Sequence, residues 1–314
     1  MTKRCLYCYQ PLKAEENDFH SKCSKKIFGE PVPPLLPYNE DDLVNLATEV
    51  LQTHTTVTGV QPKLSLHLQK GDDPTGPKRF TFVGLWGGYI LKPPTSHYQQ
   101  LPEVEDLTMH LAALAKIKVV PHSLIRMQSG NLAYITKRID RVKKEKVHME
   151  DMCQLTERLT EDKYRGSYEQ IAKAIQKYSA NPGLDVVIFF ETLLFSFLTG
   201  NADMHLKNFS LIRDAELGMV MSAAYDLVAT TLVNPADDED LALTLNGKKR
   251  KIKRQDFITA FHSADLDEKQ QDNLFKKMGN MKAAWLQEID ISFLSWQMKK
   301  KYKSLLEERF MRLQ

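Results

Sequence analysis

Apolar and polar positions alternate over Leu64–Leu68, and the alternation returns at Arg79–Val83 after a turn rich in Gly, Asp and Pro. Gly88–Lys92, Ser123–Met127 and Leu132–Thr136 continue this period of two, with Ser129-Gly130-Asn131 as the turn between the last pair. One helix interrupts at about 103–115, where Leu107, Leu111 and Leu114 share a face. An earlier helix is predicted over 40–53, with Asn39 as its cap and acids in its first turn. Beyond residue 140 the period becomes helical. Helices are predicted over 150–158, 168–178, 184–199, 267–278 and 281–310, the last broken. A strand pair, 209–212 with 219–223, interrupts them around Arg213-Asp214-Ala215-Glu216. Strands first and helices second predict an α+β fold of two lobes, meeting near 136–141. Pro31, Pro33, Pro34 and Pro37 form a linker behind a small amino-terminal element. The expected divisions are 1–30, a strand-rich lobe over 38–138, and a helical lobe over 139–314.

The densest chemistry lies at 199–226. Thr199-Gly200-Asn201-Ala202-Asp203-Met204-His205-Leu206-Lys207-Asn208 follows an apolar helix, and the strand pair ends at Tyr225-Asp226-Leu227. Taken singly, Asp203 or Asn208 would be a cap or turn residue. As an ordered set they fit phosphoryl transfer. That chemistry needs a carboxylate to take the proton of a hydroxyl, and an amide with a second carboxylate to hold Mg²⁺ on a nucleotide. Asp203, Asn208 and Asp226 supply these in that order, and a hairpin over 209–225 would return Asp226 to Asn208. His205 reads as a loop-packing residue or part of the site. Lys207 reads as a phosphate contact or a solvated side chain.

The segment Asn201-Ala-Asp-Met-His-Leu-Lys-Asn-Phe-Ser-Leu, with Ala224-Tyr225-Asp226-Leu227, resembles the HipA-like serine/threonine kinases, toxins of HipA/HipB-type systems on the phosphatidylinositol 3/4-kinase branch of the kinase fold. Other stretches agree in order. Thr58-Gly59-Val60-Gln61-Pro62-Lys63-Leu64-Ser65 is similar to that family's phosphate loop. Tyr89-Ile90-Leu91-Lys92-Pro93 is similar to its nucleotide-lysine strand, and Leu101-Pro102-Glu103-Val104-Glu105 to its helix glutamate. Ile135-Thr136-Lys137-Arg138-Ile139-Asp140-Arg141 is similar to the lobe hinge. Glu150-Asp151-Met152-Cys153-Gln154 and Lys163-Tyr164 continue the likeness, which covers about 55–300.

The resemblance implies a two-lobed kinase fold, ATP and Mg²⁺ as cofactors, and Asp203 as catalytic base. Asn208 and Asp226 would be the metal ligands. Lys92 would meet the α/β-phosphates, paired to Glu105 rather than Glu103. Backbone groups of Gly59, Val60, Gln61 and Lys63 would cradle phosphate. Backbone groups around Lys137, Arg138 and Ile139 would meet adenine. Thr56 and Thr58 stand where the family carries autophosphorylated serines. A phosphate there adds about −1.5 to −2 charge to a phosphate pocket and should repel ATP; otherwise both are strand-edge threonines. Full-length HipA kinases carry a further amino-terminal domain, so the chain resembles the short HipT-type kinases of three-gene systems. The implied partners are a HipB-like helix-turn-helix antitoxin, a small HipS-like protein and an aminoacyl-tRNA synthetase as substrate. DNA would be met only through the antitoxin. A metabolite kinase on the same fold, and a partner- or DNA-binding pseudokinase, are the alternatives.

The amino-terminal element has its own signature: Cys5-x₂-Cys8, then His20-x₂-Cys23. Two short knuckles offering four S/N ligands suit a structural Zn²⁺ in a zinc-knuckle-like segment. So short a segment has little core, so metal would supply folding free energy. A redox pair or simple packing is the other reading. Cys153 lies on an apolar face and reads as core.

Composition narrows the rest. The 314 residues are 42% hydrophobic and 26% charged, which excludes collagen-like, disordered and disulfide-scaffold classes. Forty-three basic residues against 40 acidic leave a net charge of +3, so any nucleic-acid argument must be local. The run Lys248–Arg254 is the one candidate, with Asp237–Asp240 just upstream to neutralise it. Val186–Leu198 contains Glu191 and falls short of the roughly 20 residues of a membrane span. No apolar run follows Met1, so a cytoplasmic protein without a membrane segment is expected.

Overall fold

The computed structural model describes residues 3–314 except 44, 47–62, 71–75, 84–86, 143–144, 235 and 237. Thr56, Thr58, Gly59, Val60 and Gln61 therefore lie outside the described residues. The chain divides into two compact units. The first is Met1–Asp106, Val120–Ile139 and Ile291–Phe293; the second is Leu107–Val119, Asp140–Asp290 and Leu294–Gln314.

In the first unit, alternation becomes a five-stranded antiparallel sheet. Its strands are β1 (Leu64–Gln69), β2 (Arg79–Phe82), β3 (Tyr89–Lys92), β4 (His122–Arg126) and β5 (Leu132–Lys137), in the order β2-β1-β3-β5-β4. The register sets Tyr89 opposite Lys137 and Lys92 opposite Tyr134. Helix α1 (Ser21–Phe28) ends at Gly29, whose φ of +80° is a left-handed cap. The amino-terminal element shares its core with the sheet: Cys5, Leu6, Phe19, Ile27 and Phe28 cluster with Leu66, Phe80, Tyr89 and Leu124. Asn39 and Asp42 cap each other's backbone N–H at 2.9 Å, and helix follows at 40–43. Helix α2 (Leu101–Leu114) begins in this unit.

The second unit is mainly helical. Its central helix, α5 (Pro182–Thr199), is apolar on nearly every side, as a helix buried all round must be. Phe190 meets Phe261, Phe195 meets Trp285, and Phe197 meets Phe257, each pair edge-to-face. Among the described residues, Pro182–Thr199 alone is long and apolar enough to cross a membrane; 67% of it is buried inside the protein.

Several elements differ from the expectation. The stretch 150–158 is not one helix. Met149–Asp151 is a strand (β6), and Asp151 then caps the four-residue helix α3 (Met152–Leu155) in a reciprocal box with Gln154. Helix α4 (Tyr168–Tyr178) follows the predicted span. Strands β7 (Ser210–Asp214) and β8 (Gly218–Met221) complete a three-stranded sheet with β6. Helix α6 (Arg254–Ser263) lies where no helix was expected, because the basic run masked its start. Asp256 answers that run: it accepts from the backbone N–H of Lys253 and pairs with Lys248. Helix α7 (Glu268–Ile291) runs unbroken through Gly279, and the break falls at 292–295, where Ser295 caps α8 (Trp296–Met311). An interior glycine costs only about 1 kcal/mol, less than a long packed helix recovers.

Candidate functional site

The loop after α5 starts at a position that demands glycine. Gly200 has φ +72°, and a Cβ there would stand 2.3 Å from Thr231 Oγ1 and 2.7 Å from Leu305 Cδ2. Its carbonyl accepts from the backbone N–H of Thr231 and the hydroxyl of Thr231. Thr230 Oγ1 accepts from the N–H of Ala202 at 2.8 Å. The chain entering Asp203 is thus held from several sides. Gly200→Ala should destabilise the protein by about 1–3 kcal/mol; denaturant unfolding at unchanged slope checks this.

Asp203 is oriented by its surroundings. Its backbone N–H donates to Asn201 Oδ1 at 3.1 Å, and the Tyr164 hydroxyl donates to its Oδ1 at 2.7 Å. Asn208, mostly buried, donates through Nδ2 to the Asp203 carbonyl at 2.9 Å. An amide so used presents Oδ1 as its other polar atom, a hard oxygen of the kind Mg²⁺ prefers. Tyr225, the residue just before the second carboxylate, is anchored. Its hydroxyl donates to the Lys207 carbonyl at 2.9 Å and lies 2.5 Å from Ser210 Oγ. The next residue, Asp226, sits at φ +55°, a costly left-handed conformation for a non-glycine. Lys207 donates to Asp151 Oδ2 at 2.7 Å and is tied to the β6 end rather than solvated.

His205 packs edge-to-face on Tyr164, with ring centroids 5.0 Å apart. Burial pushes its imidazole down to about 4; Asp203 and Asp226 oppose that shift and Lys163 adds to it. Among the described residues its buried Nδ1 has no hydrogen-bond partner. A neutral ring is therefore the native form. The unfolded chain takes a proton near the ordinary value of 6.5 and the folded one only near 4. The stability carried by the neutral ring is complete above about 6.5 and falls away as pH drops towards about 4. A stability–pH curve should lose part of its acid limb in His205→Gln.

In the first unit Lys92 and Glu105 are both buried, and Lys92 Nζ donates to Glu105 Oε1 at 2.5 Å. Lys92 Nζ also lies 5.4 Å from the centroid of the Tyr134 ring. Burial pushes the Glu103 carboxyl up to about 7. The hinge residues are placed by backbone. Lys137 N–H donates to the Pro121 carbonyl and Arg138 N–H to Gly88, while the Lys137 side chain is exposed. Lys63 is exposed at the head of β1. Cys153 is buried.

At the amino terminus, Cys5, Cys8, His20 and Cys23 converge, their ligand atoms all within 4.8 Å of one another. The basic run is neutralised at close range: Lys249 pairs with Glu239 at 3.3 Å and Arg250 with Asp238 at 2.7 Å. Tyr164, Tyr225 and Asp151 had no assigned role in the sequence reading. Their partners lie 15 to 56 residues away, and only the fold reveals them.

Known proteins resemble this chain in sequence and in fold. The sequence profile of the HipA-like C-terminal domain matches residues 55–285. A Sinorhizobium fredii protein named "Putative kinase Y4dM" is 30% identical over 254 residues, covering 77% of this chain and 60% of that protein. A Haemophilus influenzae "Putative kinase" is 28% identical over 248 residues, 72% of this chain and 68% of the relative. The fold matches HipA from the Shewanella oneidensis complex of HipA, HipB and operator DNA, with a TM-score of 0.69 at 23% identity, covering 85% of this chain and 70% of that one. It also matches the Helicobacter pylori proinflammatory kinase CtkA, with a TM-score of 0.54 at 17% identity, covering 72% and 87%. With more than half of its length matched by the profile, and with that fold, the chain belongs to the HipA-like C-terminal domain family.

Proposed function

We propose that this protein is an ATP- and Mg²⁺-dependent serine/threonine protein kinase, and the toxin of a HipA/HipB-like toxin–antitoxin system. The observation that carries the reading is the Asp203 loop. One carboxylate oxygen is held by Tyr164, the backbone is clamped by Asn208, and Tyr225, the residue before Asp226, is pinned to the Lys207 carbonyl. That arrangement suits in-line phosphoryl transfer, where positioning and charge neutralisation carry most of the catalysis.

In this reading Asp203 orients the acceptor hydroxyl and takes its proton on the carboxylate. Tyr164 keeps that carboxylate in one rotamer by occupying Oδ1. Asn208 Oδ1 and Asp226 would hold Mg²⁺, which when bound neutralises charge on the phosphates. Lys92 meets the α/β-phosphates and Glu105 holds its ammonium in place. Gly59, Val60, Gln61 and Lys63 cradle phosphate through backbone N–H groups. The backbone around Lys137, Arg138 and Ile139 receives adenine. His205 stays neutral, so it adds no charge beside the base. Lys207 holds the loop to Asp151.

The expected substrate is an aminoacyl-tRNA synthetase in the cytoplasm. Phosphorylation of Thr56 or Thr58 would switch the kinase off. A HipB-like antitoxin and a small HipS-like protein would be its partners, with DNA met through the antitoxin. The HipA–HipB–operator complex of the Shewanella relative supports the antitoxin. The Cys/His cluster would carry a structural zinc. The test is γ-phosphate transfer from ATP by the purified chain. Mg²⁺-dependent transfer to protein that Asp203→Asn lacks supports the reading. ATP binding without transfer in either form would move it to a pseudokinase, and transfer to a metabolite alone to a small-molecule kinase.

A further inference from the structure

The Cys5/Cys8/His20/Cys23 cluster is built like a metal centre. Tetrahedral zinc sites place sulfur at about 2.3 Å and nitrogen at about 2.0 Å, so neighbouring ligands stand roughly 3.5–3.8 Å apart. His20 Nδ1 lies 3.4 Å from Cys8 Sγ and 3.6 Å from Cys23 Sγ. The His20 ring is already committed. Its Nε2 lies 3.0 Å from the Pro11 carbonyl, which can only accept, so Nε2 carries the proton and Nδ1 presents its lone pair to the sulfurs. The backbone N–H of His20 also donates to Cys5 Sγ at 3.5 Å. Three thiolates and one imidazole, with no carboxylate, select a soft or borderline cation such as Zn²⁺ over Mg²⁺ or Ca²⁺. Binding would release the thiol protons to solvent.

What the cluster holds in place is more informative than the cluster itself. Tyr9, directly after Cys8, is fully buried at φ +60°, a conformation a tyrosine adopts only when its surroundings impose it. Its hydroxyl donates to Asp106 Oδ2 at 2.7 Å. The other carboxylate oxygen of Asp106 lies 2.7 Å from His122 Nδ1. Asp106 is the neighbour of Glu105 on α2. The His122 ring stacks on Tyr134, with centroids 5.9 Å apart, and Tyr134 is the ring beneath Lys92. From Tyr9, one route therefore reaches Glu105 through the α2 backbone. A second reaches Lys92 through His122 and Tyr134. The same element also grips the sheet, since the Tyr89 hydroxyl donates to the Ile27 carbonyl and Ser123 Oγ to the Leu6 carbonyl.

We propose that Cys5, Cys8, His20 and Cys23 bind one structural zinc ion, and that this zinc-held element positions the buried Lys92–Glu105 pair through the Tyr9–Asp106–His122 contact. Tyr9 is a positioning residue. The consequence for ATP rests on the nucleotide reading of Lys92; the metal site and the positioning of the pair do not.

The test uses the full chain. Elemental analysis should find one zinc per chain. Replacement by Co²⁺ should give the visible d–d bands of a tetrahedral ion with a thiolate charge-transfer band. Cys23→Ser, or a chelator, should abolish both, and either treatment can also unfold the element. Tyr9→Phe keeps every ligand and avoids that ambiguity. It should keep the zinc and the cobalt spectrum, yet raise the rate at which an amine-reactive reagent labels Lys92, read by peptide mass spectrometry, by about tenfold, because a buried carboxylate loses one of its donors. Absence of zinc and of the cobalt bands in the folded wild-type chain would overturn the metal site. Unchanged Lys92 labelling in Tyr9→Phe would overturn the positioning role. A wild-type chain that holds zinc but binds no Mg-ATP, with raised Lys92 labelling in Tyr9→Phe, sinks the nucleotide reading and leaves this proposal standing.

Discussion

Asp203→Asn is expected to slow phosphoryl transfer by about 10²–10⁴-fold, the contribution of a positioned general base. The change is nearly isosteric. The Asn201 and Asn208 contacts use the backbone of residue 203 and survive it. Tyr164 can still donate to the amide oxygen. The amide cannot take the proton of an incoming hydroxyl, so kcat falls while nucleotide affinity and thermal stability stay close to wild type. A parallel loss of stability would mean that Asp203 is a turn residue, the role its place after a helix would suggest if taken alone. Turnover measured at saturating Mg-ATP, beside an unfolding curve, separates the two.

Lys92→Met carries the second large effect, and it appears in stability as well as activity. Lys92 and Glu105 are 5% and 1% exposed, so removing one leaves the other as an uncompensated buried charge. Breaking such a pair costs about 3–5 kcal/mol, whereas replacing both members with apolar groups is often close to neutral. The double variant Lys92→Met/Glu105→Leu should therefore regain most of the stability lost in Lys92→Met, read as the denaturation midpoint. It should regain none of the ATP turnover, because the ammonium proposed to meet the phosphates is gone. Recovery of turnover in the double variant would remove Lys92 from the nucleotide site.

How far the chain could be read in advance depended on the range of the interaction. Alternation over 64–68, 79–83, 88–92, 123–127 and 132–136 foretold the five sheet strands, because strand periodicity is local and one face is buried. The apolar run ending at Gly200 foretold the central helix for the same reason. The Asp203-x₄-Asn208 spacing pointed to one loop, and Asn208 does bond the Asp203 carbonyl. What stayed hidden was long-range. Tyr164 on Asp203, Lys207 on Asp151 and Tyr9 on Asp106 join residues 39, 56 and 97 positions apart, and no local period announces them. Local signals also misled where they competed. Strand β6 and α3 together looked like one helix, because three strand residues are too few to show a period of two. Two helices expected over 267–278 and 281–310 are divided elsewhere, since α7 runs on through Gly279 to Ile291. The amino-terminal element read as separate, because its apolar residues are few and scattered. In the fold they complete the core of the sheet.

The measurement that tests the central claim most directly is intact-mass and peptide mass spectrometry of the phosphatase-treated chain after incubation with Mg-ATP, wild type beside Asp203→Asn. The account predicts added phosphate on Thr56 or Thr58 in the wild type and none in the variant. Wild-type protein that binds ATP yet gains no phosphate and transfers none to any protein would contradict it.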